Sequence, residues 1–145
     1  MPKKSKQTIG WYEYADFPEW KIKKLKTKID TGAKTSSLHV ENLVYDGLNR
    51  VSFTVVQSIK DHTRRTRVKS ADVVRIARVK ASPIHREKRV VVTTAIVIGP
   101  VRKQIEINLV DRSEMKFRMI LGRTTLRGDF VVDVSRSNML GVKKS

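Results

Sequence analysis

The sequence predicts an all-β protein: short strands closed into a barrel or sandwich, with one short helix near the C-terminus. Three observations predict it. Apolar residues alternate with polar ones at period two through most of the chain. Gly, Pro and Asp turn residues separate the runs at short intervals. Only residues 124–128 look like a turn of helix.

In chain order, residues 1–8 are expected to be a frayed basic tail, and residues 9–145 a single domain. Residues 21–29 alternate Lys with Ile22, Leu25 and Ile29, which reads as a strand with one wet face. Residues 38–45 are a second strand, ended by the turn pair Asp46-Gly47. Residues 51–56 set Val51, Phe53 and Val55 inward against Ser52 and Thr54. Residues 67–81 are long, β-branched and basic, and residues 89–98 are the most apolar run, turned by Gly99-Pro100. Residues 104–110 alternate Ile105, Ile107 and Leu109 against Glu106 and Asn108, and the runs 117–121 and 130–134 close the pattern.

The composition narrows the function. The chain has 145 residues and no Cys, which excludes a disulfide framework, a thiol nucleophile and a thiolate zinc site. No apolar run approaches the ~20 residues of a spanning helix, and the start MPKKSKQTIG lacks the apolar core of a secretory signal, so a soluble cytoplasmic protein is expected. The formal charge is +17, from 31 Lys and Arg against 14 Asp and Glu. Such a surface attracts anions over a Debye length, ~8 Å at physiological salt. The expected partner is therefore an acidic polypeptide or, through the basic surface, RNA or the ribosome. Between positions 60 and 89 eleven basic residues face three acidic ones. A basic β-barrel that binds nucleic acid without catalysis is the alternative reading, although nine aromatics in all offer few stacking platforms.

Motifs sharpen the choice. No G-x-x-x-x-G-K-[ST] loop supports an ATP site, and no H-E-x-x-H supports a metalloprotease. His39, His62 and His85 stand 23 residues apart each time, so only the fold could assemble a metal site from them. Ser36-Ser37-x-His39 invites a Ser–His nucleophile, but no G-x-S-x-G turn surrounds the serine. The informative segment is Lys28-Ile29-Asp30-Thr31-Gly32-Ala33-Lys34: an apolar strand ends in a carboxylate, and Thr-Gly-Ala turns the chain. Much later, Met119-Ile120-Leu121-Gly122-Arg123 is an apolar run, then Gly-Arg, then the helical start.

Together these resemble the retropepsin-like aspartic proteases, in which a D-T-G-A loop is crossed by a late I-[IL]-G-R-x-x-L segment. With Gly10-Trp11, Glu87-Lys88-Arg89 and the run Phe130-Val131-Val132-Asp133, the likeness extends over roughly residues 10–141 to the bacterial RimB-type family. Members have carried the label of an ATP-dependent zinc protease; this sequence supports neither group, and the expected site uses no cofactor and no metal. The resemblance implies a retropepsin-like acid-protease barrel and an aspartic endopeptidase. It also implies a substrate class, glutamate tails added to a small-subunit ribosomal protein by a partner ligase. By the same resemblance Asp30 is the catalytic carboxylate. Thr31 bonds across to a partner loop, and Gly32 lets its backbone N–H approach the carboxylates. Ala33, Leu121 and Gly122 support the loop. One D-T-G per chain makes the expected dyad that of a homodimer, with Asp129 and Asp133 as the substitutes if one chain suffices. Retroviral relatives carry an acid where this chain has Lys34, so Arg123 loses that carboxylate partner. Lys34 and Arg123, with Arg64, Arg65 and Arg67 from a flap sought over residues 59–71, are the expected acid-binding side chains.

Overall fold

The computed structural model describes residues 5–58, 60–61, 63–82, 84–111 and 116–140, and only the backbone of 79–82 and 85–87. Eleven strands and one short helix follow one another: β1 (Gln7–Ile9), β2 (Tyr12–Phe17), β3 (Ile22–Ile29), β4 (Ser36–His39), β5 (Glu41–Tyr45), β6 (Arg50–Val56), β7 (Arg65–Ser82), β8 (His85–Ile98), β9 (Val101–Val110), β10 (Met119–Leu121), α1 (Arg123–Leu126) and β11 (Phe130–Val132). Six of the strands close a barrel in the order β2-β3-β10-β4-β9-β8, sealed where Asp16 of β2 pairs with Val97 of β8. Strands β7, β6 and β5 continue the sheet outward from β8. The expected all-β barrel with one short C-terminal helix is the fold observed.

The alternation read from the sequence fills the core. Val51, Phe53 and Val55 of β6 are buried, as are Ile105, Ile107 and Leu109 of β9. Trp20 stacks on Phe17 at 5.4 Å between ring centroids and meets Phe53 edge-on at 5.2 Å, joining β2 to β6. The most apolar run, β8, buries Val91, Val92, Thr94, Ala95 and Ile96, because neighbours cover both of its faces. Strand β3 buries Ile22, Leu25, Thr27 and Ile29 while its lysines face out. Two successive lysines point outward at Lys23 and Lys24; Lys24 adopts φ +57°, and its N–H donates to the Asp16 carboxylate at 2.8 Å. This irregularity absorbs one residue and returns Leu25 to the core.

Two sequence expectations change. The tail expected over residues 1–8 loses its last two positions: Gln7 and Thr8 belong to β1, which pairs in parallel with β11, while residues 1–4 lie outside the described residues. Strand β2 was not anticipated, because a glutamate interrupts its alternation. Glu13 points inward, 1% exposed, and its carboxylate accepts from the backbone N–H groups of Gly10 and Met139 at 2.8 Å and of Leu140 at 3.2 Å. Charge-assisted bonds to three donors make that burial tolerable and tie the C-terminal segment to the barrel. The flap sought over residues 59–71 lies partly outside the described residues. Ile59 and His62 lie outside the described residues, and residues 65–71 are the first part of β7, paired with β6. A second hairpin, the far half of β7–β8, extends past its neighbours in the sheet. Beyond Asp72, β7 has no register with β6, and before Val91, β8 has none with β9, so the two strands pair only with each other out to Ser82 and His85.

Candidate active site

The Asp30 loop sits where two segments distant in sequence cross. Strand β10 lies between β3, to which it is parallel, and β4, to which it is antiparallel, so its end at Leu121 meets the end of β3 at Ile29. From there the backbone is stitched residue by residue. Asp30 N–H donates to Leu121 O at 2.9 Å, Arg123 N–H to Ala33 O at 2.9 Å, and Thr124 N–H to Lys34 O at 3.0 Å. Gly122 makes the crossing possible: a Cβ there would lie 2.4 Å from the carbonyl oxygen of Thr35, well inside any real contact. Its N–H donates to Ser36 Oγ at 3.0 Å, and that hydroxyl shares a 2.6 Å hydrogen bond with Thr125 Oγ1. Asn108 Nδ2 donates to Thr35 Oγ1 at 2.9 Å from the opposite side.

Within this frame Asp30 is half-buried, and Thr31 and Gly32 are exposed. Gly32 N–H donates to Asp30 Oδ1 at 3.0 Å, and a Cβ at Gly32 would stand 3.2 Å from the same oxygen. The expected close approach of glycine backbone to the carboxylate is thus present. Ala33 N–H closes the turn onto Asp30 O at 3.2 Å, and Leu121 is fully buried behind it. Arg123, deprived of a carboxylate by Lys34, uses Nη1 to donate to Thr31 O at 3.0 Å and so braces the loop directly.

Lys34 is exposed on a cleft of about 370 Å³ whose walls include Thr35, Arg75, Glu106, Asn108 and Thr124. Arg75, which the sequence did not single out for this site, pairs with Glu106 there. The fold does not bring Arg64, Arg65 or Arg67 to this cleft. Arg65 pairs with Glu41 at 3.0 Å, and Arg67 donates to Asn42 O, Thr54 Oγ1 and Ser52 Oγ on the outer strands. Arg64 lines a different cleft. The two substitute carboxylates are engaged elsewhere: Asp129 binds Lys103 Nζ at 2.7 Å, and Asp133 accepts from the hydroxyl and N–H of Ser135. The Ser135 bonds, hydroxyl first, hold the Asp133 carboxyl below its usual range. Ser36 is committed to Gly122 and Thr125, and His39 lies 3.3 Å from Glu41, so the serine serves the loop. Among the described residues no three His, Asp or Glu side chains converge in a way that could hold a metal ion. Nor is any helix among them long and apolar enough to cross a membrane.

The residues missed by sequence reasoning are Thr125 and Asn108. Both are buried polar residues whose partners lie 89 and 73 residues away, so no local pattern marks them.

Two outcomes follow. Gly122→Ala must separate β10 from Thr35, and equilibrium denaturation should register a loss of about 3 kcal/mol. An unchanged midpoint would mean the crossing is loose. The second concerns pH. The hydrogen bond from His39, then that from Arg65, holds the Glu41 carboxyl below its ordinary 4.5. A lowered folded value means the contribution is fully present above 4.5 and is lost as pH falls through the lowered value. Glu41→Gln should therefore flatten the acid limb of the stability–pH curve below pH 4.5 and leave its slope at neutral pH alone.

The sequence relatives agree with this geometry. The model of the family described as RimB-like, "Retropepsin-like aspartic endopeptidase RimB", matches residues 8–142. Proteins named "Probable alpha-L-glutamate ligase" from Shewanella pealeana and Desulfotalea psychrophila are 33% and 36% identical over 144 and 141 residues. These matches cover 96% and 94% of this chain but 31% and 30% of the relatives, so the chain spans less than a third of their length. A crystal structure of a Legionella pneumophila protein of unknown function superposes with a TM-score of 0.75 at 28% identity, covering 94% of this chain and all of that one. With the D-T-G-A loop crossed by the Leu-Gly-Arg segment over a closed six-stranded barrel, the chain belongs to the RimB-like family of retropepsin-like aspartic endopeptidases.

Proposed function

We propose that the protein is an aspartic endopeptidase that cleaves acidic, glutamate-rich peptide tails, with Asp30 of two copies forming the catalytic pair. The observation that carries this reading is the Asp30 carboxylate itself. It is half-buried, held by Gly32 N–H at 3.0 Å, and set in a loop pinned to Leu121, Gly122 and Arg123. Rigid placement of a carboxylate on crossed strands is what general acid–base chemistry needs.

Peptide hydrolysis asks two things of such a site. One carboxylate takes a proton from water as the oxygen adds to the scissile carbonyl; the other, protonated, donates to the carbonyl oxygen. The tetrahedral carbon then expels the amine, which takes the proton the first carboxylate gained from water as the C–N bond breaks, while the second carboxylate takes back the proton from the hydroxyl that becomes the carbonyl again. Two carboxylates ~3 Å apart share one proton and supply both states. Asp129 and Asp133 are held by Lys103 and Ser135, so the second carboxylate is assigned to another copy of the loop, whose exposed Thr31 and Gly32 face outward. Lys34 on the adjoining cleft favours acidic side chains.

The relatives support the substrate class. This domain accounts for under a third of longer chains named for glutamate ligation, which leaves the rest of those chains for the ligase. A domain carried beside a glutamate ligase is suited to act on the glutamate chains that such an enzyme builds. A cytoplasmic setting, where such a protein would meet ribosomes, fits this reading.

Mass spectrometry of a glutamate-tailed protein incubated with the enzyme tests it. Asp30→Asn should keep the fold and cut turnover by about a thousandfold or more, since an amide cannot serve as base. Rate per subunit should also fall on dilution as the pair dissociates. Turnover that survives Asp30→Asn in chelator-treated protein would overturn the assignment. For the charge of the cleft, Lys34→Glu should raise KM for an oligoglutamate substrate by roughly tenfold more than for a neutral peptide. Equal effects on the two substrates would remove Lys34 from recognition.

A further inference from the structure

The other large cleft lies on a different part of the surface. It has a volume of about 400 Å³, and its charged lining among the described residues is Lys24, Lys26, Lys60, Arg64, Lys116 and Arg118, with no acidic residue among them. Tyr14 and Phe117 form aromatic walls. Lys26 is fixed to that wall, with Nζ 4.2 Å from the Tyr12 ring centroid and 5.4 Å from that of Phe117.

Arg118 sets this cleft apart from an ordinary basic surface. It is 5% exposed, and its Nε and Nη1 atoms are buried with no hydrogen-bond partner. A buried guanidinium without an acceptor is among the least tolerable groups in a folded protein. No acid among the described residues pairs with it. Glu41 meets His39 and Arg65, and Asp16 accepts from the N–H of Lys24. The missing counter-charge must therefore come from outside the described residues.

We infer that this cleft is an anion-binding exosite that seats a carboxylate side chain of the polypeptide substrate, away from the bond that is cut. The inference rests on the endopeptidase reading for the word substrate, but not for the site. A carboxylate side chain is favoured over a nucleic-acid phosphate by depth. A backbone phosphate is flanked by sugars on both sides and meets only the rim lysines, whereas a glutamate is slim, ends in its charge, and has two methylenes to lie against Tyr14 and Phe117. The position fits an extended chain. Lys24, Lys26 and Lys28 project from the outer face of β3, and that strand ends beside Asp30. At about 3.3 Å per residue, Lys26 and Lys24 lie roughly 13 and 20 Å along the strand from Asp30. A peptide lying along the outer face of β3 would thus place its seated acid about four to six residues from the scissile bond.

The test is a binding measurement on full-length Asp30→Asn protein at low salt, by calorimetry, with octaglutamate, octaglutamine and an eight-nucleotide uridine RNA as probes. Octaglutamate should bind and octaglutamine should not. Two variants are made in that background: Arg118→Met, and the surface pair Lys26→Gln with Arg64→Gln. Each should weaken octaglutamate binding about tenfold or more. Arg118→Met should also unfold at no lower temperature than its parent without ligand, because it removes an uncompensated buried charge. Octaglutamate binding unchanged in the surface pair overturns the exosite, whatever Arg118→Met does to folding. RNA bound more tightly than octaglutamate, with the same dependence on the two variants, overturns the choice of a polypeptide. The two readings separate cleanly. Variant-sensitive binding without turnover by the wild type leaves the exosite standing and sinks the peptidase; turnover with variant-insensitive binding does the reverse.

Discussion

The crossing of Gly122 over Thr35 is the constraint on which the rest of the structure depends. Two segments some ninety positions apart in the chain come within a distance that a single methyl group would forbid. Once they meet, the backbone groups on both sides of the crossing find partners. Leu121 O takes the N–H of Asp30, Ser36 Oγ takes that of Gly122, and the carbonyls of Ala33 and Lys34 take those of Arg123 and Thr124. The placement of one carboxylate is thereby delegated to backbone geometry, which side-chain motion cannot easily disturb. The barrel serves the same end: β10 is one of its six strands and lies between β3 and β4, beside the ends of both halves of the loop.

Charge is distributed around this frame with some division of labour. Several cations are structural. Arg67 reaches across to Ser52, Thr54 and the Asn42 carbonyl, Lys103 joins Asp129 to the Thr125 carbonyl, and Arg123 braces Thr31. Others line clefts, Lys34 in one and the lysines around Arg118 in the other. The large positive balance is therefore not a uniform coat. Part of it holds outer strands together through hydrogen bonds, and part is concentrated where an anionic ligand can lie.

Much of this was legible in the sequence, for a physical reason. Strands with one dry face announce themselves by alternation, and β6 and β9 bury the residues their patterns indicate. The Asp30 loop and the Leu-Gly-Arg segment were legible because backbone-driven geometry constrains residue type tightly at both. What stayed hidden depends on distant partners. Strand β2 was obscured because Glu13 occupies an inward position that only the N–H groups of Gly10, Met139 and Leu140 make acceptable. Arg64, Arg65 and Arg67 are neighbours in sequence, yet Arg65 and Arg67, two apart on β7, share a face and bond to Glu41, Asn42, Ser52 and Thr54 of the outer strands, while Arg64, just before the strand begins, lines the other cleft. The β7–β8 arm is not legible locally, because its length is set by where β6 and β9 stop pairing.

That arm carries a liability of its own. Beyond Asp72 and before Val91, each of its strands has a backbone edge with no neighbouring strand in the sheet, and Val74 and Ile76 are exposed on it. An open edge with exposed β-branched residues is the ordinary starting point for edge-to-edge association between copies. Arg75, Arg78, Lys88 and Arg89 punctuate this one, and like charges brought together on two such edges repel. The basic composition of the arm thus acts as a colloidal safeguard, one that weakens as salt or a bound polyanion screens it.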